Sequence, residues 1–427
     1  MKKYIVIIGG GFAGINFIKT IAKSNEFSIT LVDRNNYHFF PPLIYQVATA
    51  FIEPSHISYP FRKLFSDYTN IRYHMGSFLS IDTNLQIIET DNGKIAYDHA
   101  IFALGTETIF FGLDHVQECA LPMKTINGAL YIKNHLLLNL EKASRNQDEN
   151  KAERLQNIVI AVGGPTGVEL ARMIAEMGAF VAEKEYPEIE LNLSHLYLID
   201  ALPSLLAPMS DAAKKTAYDN LKRLGVNILL NVSVKDYVEG NVILSDGRKI
   251  KTETLIWTSG VIGCEVLGIP ETSIGKGRRL LVDEYNRVLG FNNVWALGDI
   301  CLQLTDKNYP KGHPQVAQVA QVAIQQAKLA AKNFIKLHHQ KPLQSFVYKD
   351  KGSMAIISKY KAVVDLPKFS YTGFFAWLTW LFIHIIPLTG FRNRVRLALE
   401  WFRLFITNNP SIRMILQPGK NGQNNKN

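Results

Sequence analysis

Residues 4–8 are almost wholly apolar, the pattern of a strand buried on both faces of a parallel sheet. The run stops at Gly9-Gly10-Gly11-Phe12-Ala13-Gly14, and Ile15, Ile18, Ile21 and Ala22 then recur at helical spacing. A second apolar run, 29–32, ends in Asp33, 24 residues after the first glycine. Strand, G-x-G-x-x-G, helix, strand and acid together predict a Rossmann unit. The glycines give a tight turn, close backbone approach to a pyrophosphate, and close helix–strand packing. The helix N-terminus offers unpaired N–H groups to the phosphates, and Asp33 is placed to accept hydrogen bonds from a ribose.

The pattern returns further along. Residues 158–162 are apolar, Gly163-Gly164-Pro165-Thr166-Gly167 follows, a helix runs from Val168, and the strand 196–199 ends in Asp200. Val162 stands where the first unit has its leading glycine, which weakens the motif. An acidic insert at 183–188 lengthens the interval from helix to strand. Two such units predict two dinucleotides, and the acid at Asp200 favours a free 2′-hydroxyl, hence NADH over NADPH.

The segment 34–48 is aromatic, carries Pro41 and Pro42, and does not alternate like a strand. It reads as a loop or short helix lining a flat ligand, or as a surface connection. Strands are predicted at 71–75, 78–82 and 85–89, with Asp91-Asn92-Gly93 as a hairpin turn. The strand 100–104 closes on Gly105-Thr106, and 255–260 mirrors that ending at Gly260. The run 294–299 ends in Gly298-Asp299, which puts a carboxylate at the carboxyl edge of a parallel sheet, where ligands bind. The charged run 141–154 reads as the exposed end of a helix and a loop, and 226–247 as short strands with turns. One long helix is predicted over 313–333. On it Gln318, Gln321 and Gln325 share a face, either a row of amides that need partners or a solvated stripe.

In the tail, 374–388 contains His384 as its one strongly polar residue, yet falls short of the roughly twenty residues a spanning helix needs. A second helix is predicted over 391–407. Arg392, Arg396 and Arg403 fall in one arc of it, and Phe391, Val395, Ala398, Phe402 and Phe405 fill the neighbouring arc. That pattern predicts a helix lying in a bilayer interface; a dimer interface or a core helix pair is the alternative.

A chain of 427 residues has room for two or three domains. Its net charge of +10 calls for an anionic partner, and the excess is concentrated in the tail. Between residues 371 and 420 Arg392, Arg394, Arg396, Arg403, Arg413 and Lys420 face only Glu400. These cations are interleaved with apolar side chains, which argues for a membrane surface and against nucleic acid. Cys119, Cys264 and Cys301 form no C-x-x-C pair and no ligand cluster, so neither a disulfide framework nor a metal site is indicated, and a reducing compartment fits. The opening Met1-Lys2-Lys3 with the apolar residues after it reads as the start of a strand rather than a signal peptide, because the run is too short and breaks at three glycines.

Through these motifs the chain resembles the type II NADH dehydrogenases, single-subunit FAD enzymes that reduce quinone at the membrane without pumping protons. The resemblance spans nearly the whole length. It is carried by V-D-R-N-N-Y-H-F-F-P-P-L-I-Y-Q-V-A at 32–48, A-L-G-T at 103–106, G-G-P-T-G-V-E at 163–169, W-A-L-G-D at 295–299 and A-Q-V-A-I-Q-Q at 320–326. It implies two Rossmann-like domains and a C-terminal amphipathic helical membrane anchor. The expected division is an FAD domain from 1–125 and 281–345, an NADH domain at 126–280, and an anchor at 346–427. Non-covalent FAD would be held by Gly9, Gly11, Phe12, Ala13, Gly14, Asp33, Arg34, Gln46, Phe78, Ala103, Gly105, Gly298 and Asp299. NADH would be held by Gly164, Gly167, Asp200 and Gly260. Glu169 would handle substrate and protons, and Gln321 and Gln325 would position the quinone. The repeated Gln-Val-Ala also allows a register starting at Ala317; Ala320 is chosen because it places Gln325 five residues on. A homodimer, peripheral on the cytoplasmic face of the inner membrane, is implied as well.

Three other readings compete. A sulfide:quinone oxidoreductase shares the fold and tail but needs cysteines beside the flavin, and Cys301 follows Asp299 by two residues. A soluble flavoprotein reductase would have no use for the tail. A membrane-docked flavin redox sensor would have no use for the full set of nucleotide and quinone motifs.

Overall fold

Side chains alternate across a strand, so a strand with a core on each side must be apolar throughout. Lys3–Ile8 meets that demand: Ile5 and Ile7 join one buried cluster, with Phe17, Ile18, Trp295 and Phe334, while Val6 and Ile8 join another, with Phe102, Ile88 and Val294. The structure is a computed structural model that describes residues 2–189, 195–304, 317–358, 360–407 and 412–416. Its chain divides into two units, 1–39 with 58–109 and 261–351, and 40–57 with 110–260 and 352–427.

The first unit holds a five-stranded parallel sheet in the order Val294–Ala296, His99–Phe102, Lys3–Ile8, Phe27–Asp33, Ile71–Met75. Helices Phe12–Ile21 and Ala320–His338 pack against each other beside it. An antiparallel ribbon, Thr106–Thr108 with Val261–Gly263, marks where the chain leaves this unit and returns. The boundaries therefore fall at 110 and 261, earlier than the expected 126 and 281, because the ribbon pairs its two strands inside the first unit.

The second unit repeats the parallel sheet, in the order Leu121–Pro122, Thr254–Trp257, Ile158–Ala161, Leu196–Asp200, Asn227–Leu230. The segment 40–57 belongs to this unit, and so does the tail. The tail contains an element the pattern reading passed over, an antiparallel sheet of Ser353–Ser358, Lys361–Asp365 and Ser370–Gly373. Helix Phe374–Ile385 packs on this sheet, and its first strand packs on helix Pro165–Glu185.

Other expectations need correction. The segment 34–48 contains a short strand, Tyr37–Phe39, paired with Ser58–Pro60, before a 3-10 turn at Pro41–Leu43 and helix Ile44–Ala48. The run 141–154 contains the start of a second helix, Glu149–Gln156, because Asp148 Oδ1 accepts from the backbone N–H groups of Asn150 and Lys151 and caps it. The glutamine helix is Ala320–His338; Val319 is its extended N-cap, so Gln318 precedes the helix and only Gln321 and Gln325 share its face. The start expected at 313–316 lies outside the described residues, as does Lys420.

Candidate functional site

The two glycine turns are built alike. In the first unit Gly9 has φ +107°, and a Cβ on it would lie 2.4 Å from the Ala103 carbonyl oxygen. A Cβ on Gly14 would lie 2.0 Å from the Gly9 oxygen. Asp33 closes the turn: Oδ2 accepts from Gly10 N at 2.7 Å and Oδ1 from Asn35 N at 2.8 Å. Burial raises the Asp33 pKa against the pull of those two N–H groups. A Cβ on Gly11 or Gly105 would meet nothing within 4 Å, so the backbone there is open to a close-lying ligand.

In the second unit Asp200 repeats the closure, accepting from Gly163 N at 2.8 Å and Leu202 N at 2.9 Å. A Cβ on Gly167 would lie 1.9 Å from the Val162 oxygen, as Gly14 does with Gly9. Val162 itself adopts φ +92°, the region its glycine counterpart uses. The sequence suggested a weakened turn; the structure shows the turn fully formed and its cost moved into backbone strain. A β-branched residue at positive φ is a strained outlier. Val162→Gly is therefore expected to stabilise the protein by about 1 kcal/mol after the entropy of glycine is subtracted. A urea midpoint measurement checks this, with NADH KM expected to change little because the path of the turn stays the same.

Around the first turn, Gly298 has φ +74°, and a Cβ there would press on Ala13 and Ala323 at 3.2–3.3 Å. Gly298 N donates to Gln326 Oε1 at 2.8 Å. Gln326 is fully buried and went unnoticed in the sequence, where it follows two more conspicuous glutamines. Asp299 sits in the short 3-10 turn that follows. His38, also missed, donates from Nδ1 to the Gly10 carbonyl at 2.9 Å, and burial lowers its pKa to about 4, so it supports the turn as a neutral ring. Ala103 lies at the carboxyl end of its strand, while the Phe78 ring packs edge-on against Phe102 at 5.4 Å in the core.

The other candidates fall into separate groups. Gln325 pairs with the backbone of Lys349 in both directions, Nε2 to O at 2.9 Å and N to Oε1 at 3.1 Å, and Gln321 Oε1 accepts from Tyr348 at 3.3 Å. Gln46, expected with FAD, stands in the second unit, where its Oε1 accepts from Trp401 Nε1 at 2.9 Å. Glu169 is buried on helix Pro165–Glu185, and its Oε1 accepts from Ile356 N at 3.2 Å. Burial pushes its pKa up to about 8 despite that bond and the neighbouring Arg172 charge. Tyr45, fully buried and within the field of Glu169, Arg172 and Glu176, is held well above its usual pKa by burial.

The tail helices leave large apolar side chains exposed: Phe375 and Phe382 on Phe374–Ile385, Ile386 at its C-cap, and Phe391, Val395, Leu399, Phe402 and Ile406 on Phe391–Thr407. Arg392, Arg394 and Arg396 are exposed on the second of these helices, and Arg403 pairs with Glu400. Among the described residues no helix is long and apolar enough to cross a membrane.

Residues 3–327 match the pyridine nucleotide-disulphide oxidoreductase family, and residues 351–408 match the NDH2 C-terminal domain. The chain is 31% identical over 418 residues to a type II NADH:quinone oxidoreductase of Mycobacterium tuberculosis, covering 94% of this chain and 88% of that one. It is 27% identical over 396 residues to one of Haemophilus influenzae, covering 85% and 87%. Among solved structures, NDH2 of Plasmodium falciparum in complex with NADH superposes with a TM-score of 0.88 at 22% identity, covering 98% of this chain and 100% of that one. At that identity the match shows the shared fold.

Proposed function

The chain belongs to the type II NADH:quinone oxidoreductases, and from that premise we propose that it oxidises NADH and passes two electrons to a membrane quinone without pumping protons. Non-covalent FAD is the carrier. The observation that carries this reading is the pair of glycine turns, each closed by an aspartate, one in each unit. Gly9, Gly11, Gly14, Asp33, Gly105, Gly298 and Asp299 would hold FAD; the open backbone at Gly11 and Gly105 fits a pyrophosphate lying against it. Gly164, Gly167 and Asp200 would hold NADH. FAD, when bound, supplies the acceptance of a hydride and the release of two electrons.

The side chains orient and handle protons. Glu169 is protonated at neutral pH and sits in a water-poor setting, which suits it to deliver one of the two protons a quinone needs on reduction. Gln321 and Gln325, fixed by the 348–349 segment, would orient the quinone. NADH oxidation by the purified protein that depends on added quinone tests the reading; oxidation indifferent to quinone would refute it.

The enzyme is membrane-associated, and we assign the contact to the two tail helices, on the cytoplasmic face of the inner membrane, in a homodimer. The exposed Phe391 and Phe402, flanked by arginines, support insertion at headgroup depth. Replacing both with aspartate is expected to lower partition onto anionic vesicles at least about tenfold, measured by flotation.

A sulfide reading is disfavoured by Cys301. Its thiol is buried, accepts from Gln326 Nε2 at 3.2 Å, and is pushed up to about 11 by burial, away from the thiolate that persulfide chemistry requires. Cys301→Ser is expected to keep NADH:quinone turnover within roughly twofold; its loss would revive the rival.

A further inference from the structure

We propose that Arg172 grips one of the two head-group oxygens of the quinone from the wall of an apolar cavity in the second unit. This deepens the quinone reading above and rests on it. The cavity, about 400 Å³, is walled by Trp377, Trp380, Trp401, Leu404 and Phe405 of the tail helices, with Arg172 and Glu176 on its border. Trp377 stacks on Phe405 with centroids 5.7 Å apart, and Trp380 lies 5.4 Å from Trp401, so flat rings make up part of the wall. Trp401 is anchored by its bond to Gln46. Such a wall suits a planar, apolar ligand.

Arg172 is the anomaly in this lining. It is 6% exposed, and Nη1 donates to Glu176 Oε2 at 2.6 Å. Its Nε–H is buried with no hydrogen-bond partner among the described residues. A guanidinium carries five N–H donors, and burying one beside aromatic rings is costly unless its donors are met. The one-turn ion pair with Glu176 occupies one nitrogen of the fork and leaves the rest unexplained. The titratable groups around it are Glu169 and Glu176 on its own helix and the Tyr45 phenol on Ile44–Ala48. Glu169 carries a proton at neutral pH, so the guanidinium charge is balanced by Glu176 alone of the three. The guanidinium borders the cavity, so an acceptor oxygen on a flat ligand there would meet a donor that Glu176 leaves unused. A carbonyl oxygen that gains negative charge on reduction fits it better than a hydroxyl.

The test uses the FAD-loaded, oxidised protein and two probes of one shape: 2-hydroxy-1,4-naphthoquinone, ionised at neutral pH, and its neutral 2-methoxy analogue. Quenching of tryptophan fluorescence reads binding without turnover. The wild type is expected to bind the anion more tightly than the neutral compound. Arg172→Gln should weaken the anion by at least about tenfold, as loss of a charge-assisted bond implies, and the neutral compound much less. Should that variant fail to fold, Arg172→Lys keeps the charge without the fork, and the same selective but smaller loss is expected. Equal losses for both probes, or none, would overturn the proposal. So would Arg172-dependent capture of laurate with no binding of either naphthoquinone, which would make the cavity a fatty-acid site. Reoxidation of NADH-reduced wild-type protein by a short-chain quinone is run alongside. Its absence defeats the quinone reading itself, whereas its presence with unchanged probe affinities defeats only the role of Arg172.

Discussion

Glu169→Gln is expected to slow reoxidation of the reduced enzyme by quinone about a hundredfold at pH 7, while making the protein more stable. Positioned proton donors contribute roughly 10²–10⁴ in rate, and glutamine keeps the acceptor for Ile356 N but has no proton to give. The wild-type quinone step should fall as pH rises through about 8, where the Glu169 carboxyl loses its proton, and the variant should show no such limb. Stability moves the other way. The folded pKa is raised above the usual 4.5, so the contribution of Glu169 is fully present below about 4.5 and drains away as pH rises towards about 8. By pH 7 roughly 3 kcal/mol has been lost, at about 1.4 kcal/mol per pH unit. Glutamine never ionises, so the variant should recover a large part of that at neutral pH and little at pH 4.5. Denaturant titrations at the two pH values, beside stopped-flow reoxidation, check both halves. A variant with less activity and less stability at pH 7 would mean that Glu169 is structural.

Alanine at Gly14 and at Gly167 should separate the two nucleotide sites. At either position the new methyl group would lie about 2 Å from a backbone oxygen, Gly9 O or Val162 O, and backbone cannot swing aside as a side chain can. The helix must move off its strand, and the pyrophosphate cradle opens. Gly14→Ala is expected to purify with little or no FAD, read from the ratio of flavin to protein absorbance. Gly167→Ala should stay yellow and raise the NADH KM at least about tenfold, the loss expected when a phosphate contact is displaced. Flavin loss in both variants would mean that the second turn only supports the fold.

What the sequence revealed was steric demand. Gly9, Gly14 and Gly167 are read directly because no other residue fits so close to backbone, and Asp33 and Asp200 because each ends a strand at a fixed interval. The conformation of Val162 was hidden: the chain keeps the glycine path with a residue that dislikes it, and no local pattern signals that choice. The start of the glutamine helix was blurred because Gln-Val-Ala keeps helical spacing on both sides of the Val319 cap. The bond between Trp401 and Gln46 joins positions 355 residues apart and follows from tertiary packing alone. The tail sheet was legible in principle, in runs such as Ala362-Val363-Val364, but the stronger apolar signal after it drew the reading to the helices. Arg172 was overlooked because an arginine one turn before a glutamate looks like an ordinary helix-surface pair until its burial is known.

The most direct measurement of the central claim is anaerobic. The purified yellow protein is mixed with NADH while the oxidised flavin band is followed, and a short-chain quinone is then added. Bleaching by NADH and recovery on quinone, both within the time of a turnover, is the predicted result. A band that NADH leaves unchanged, or that sulfide bleaches in its place, would contradict the account.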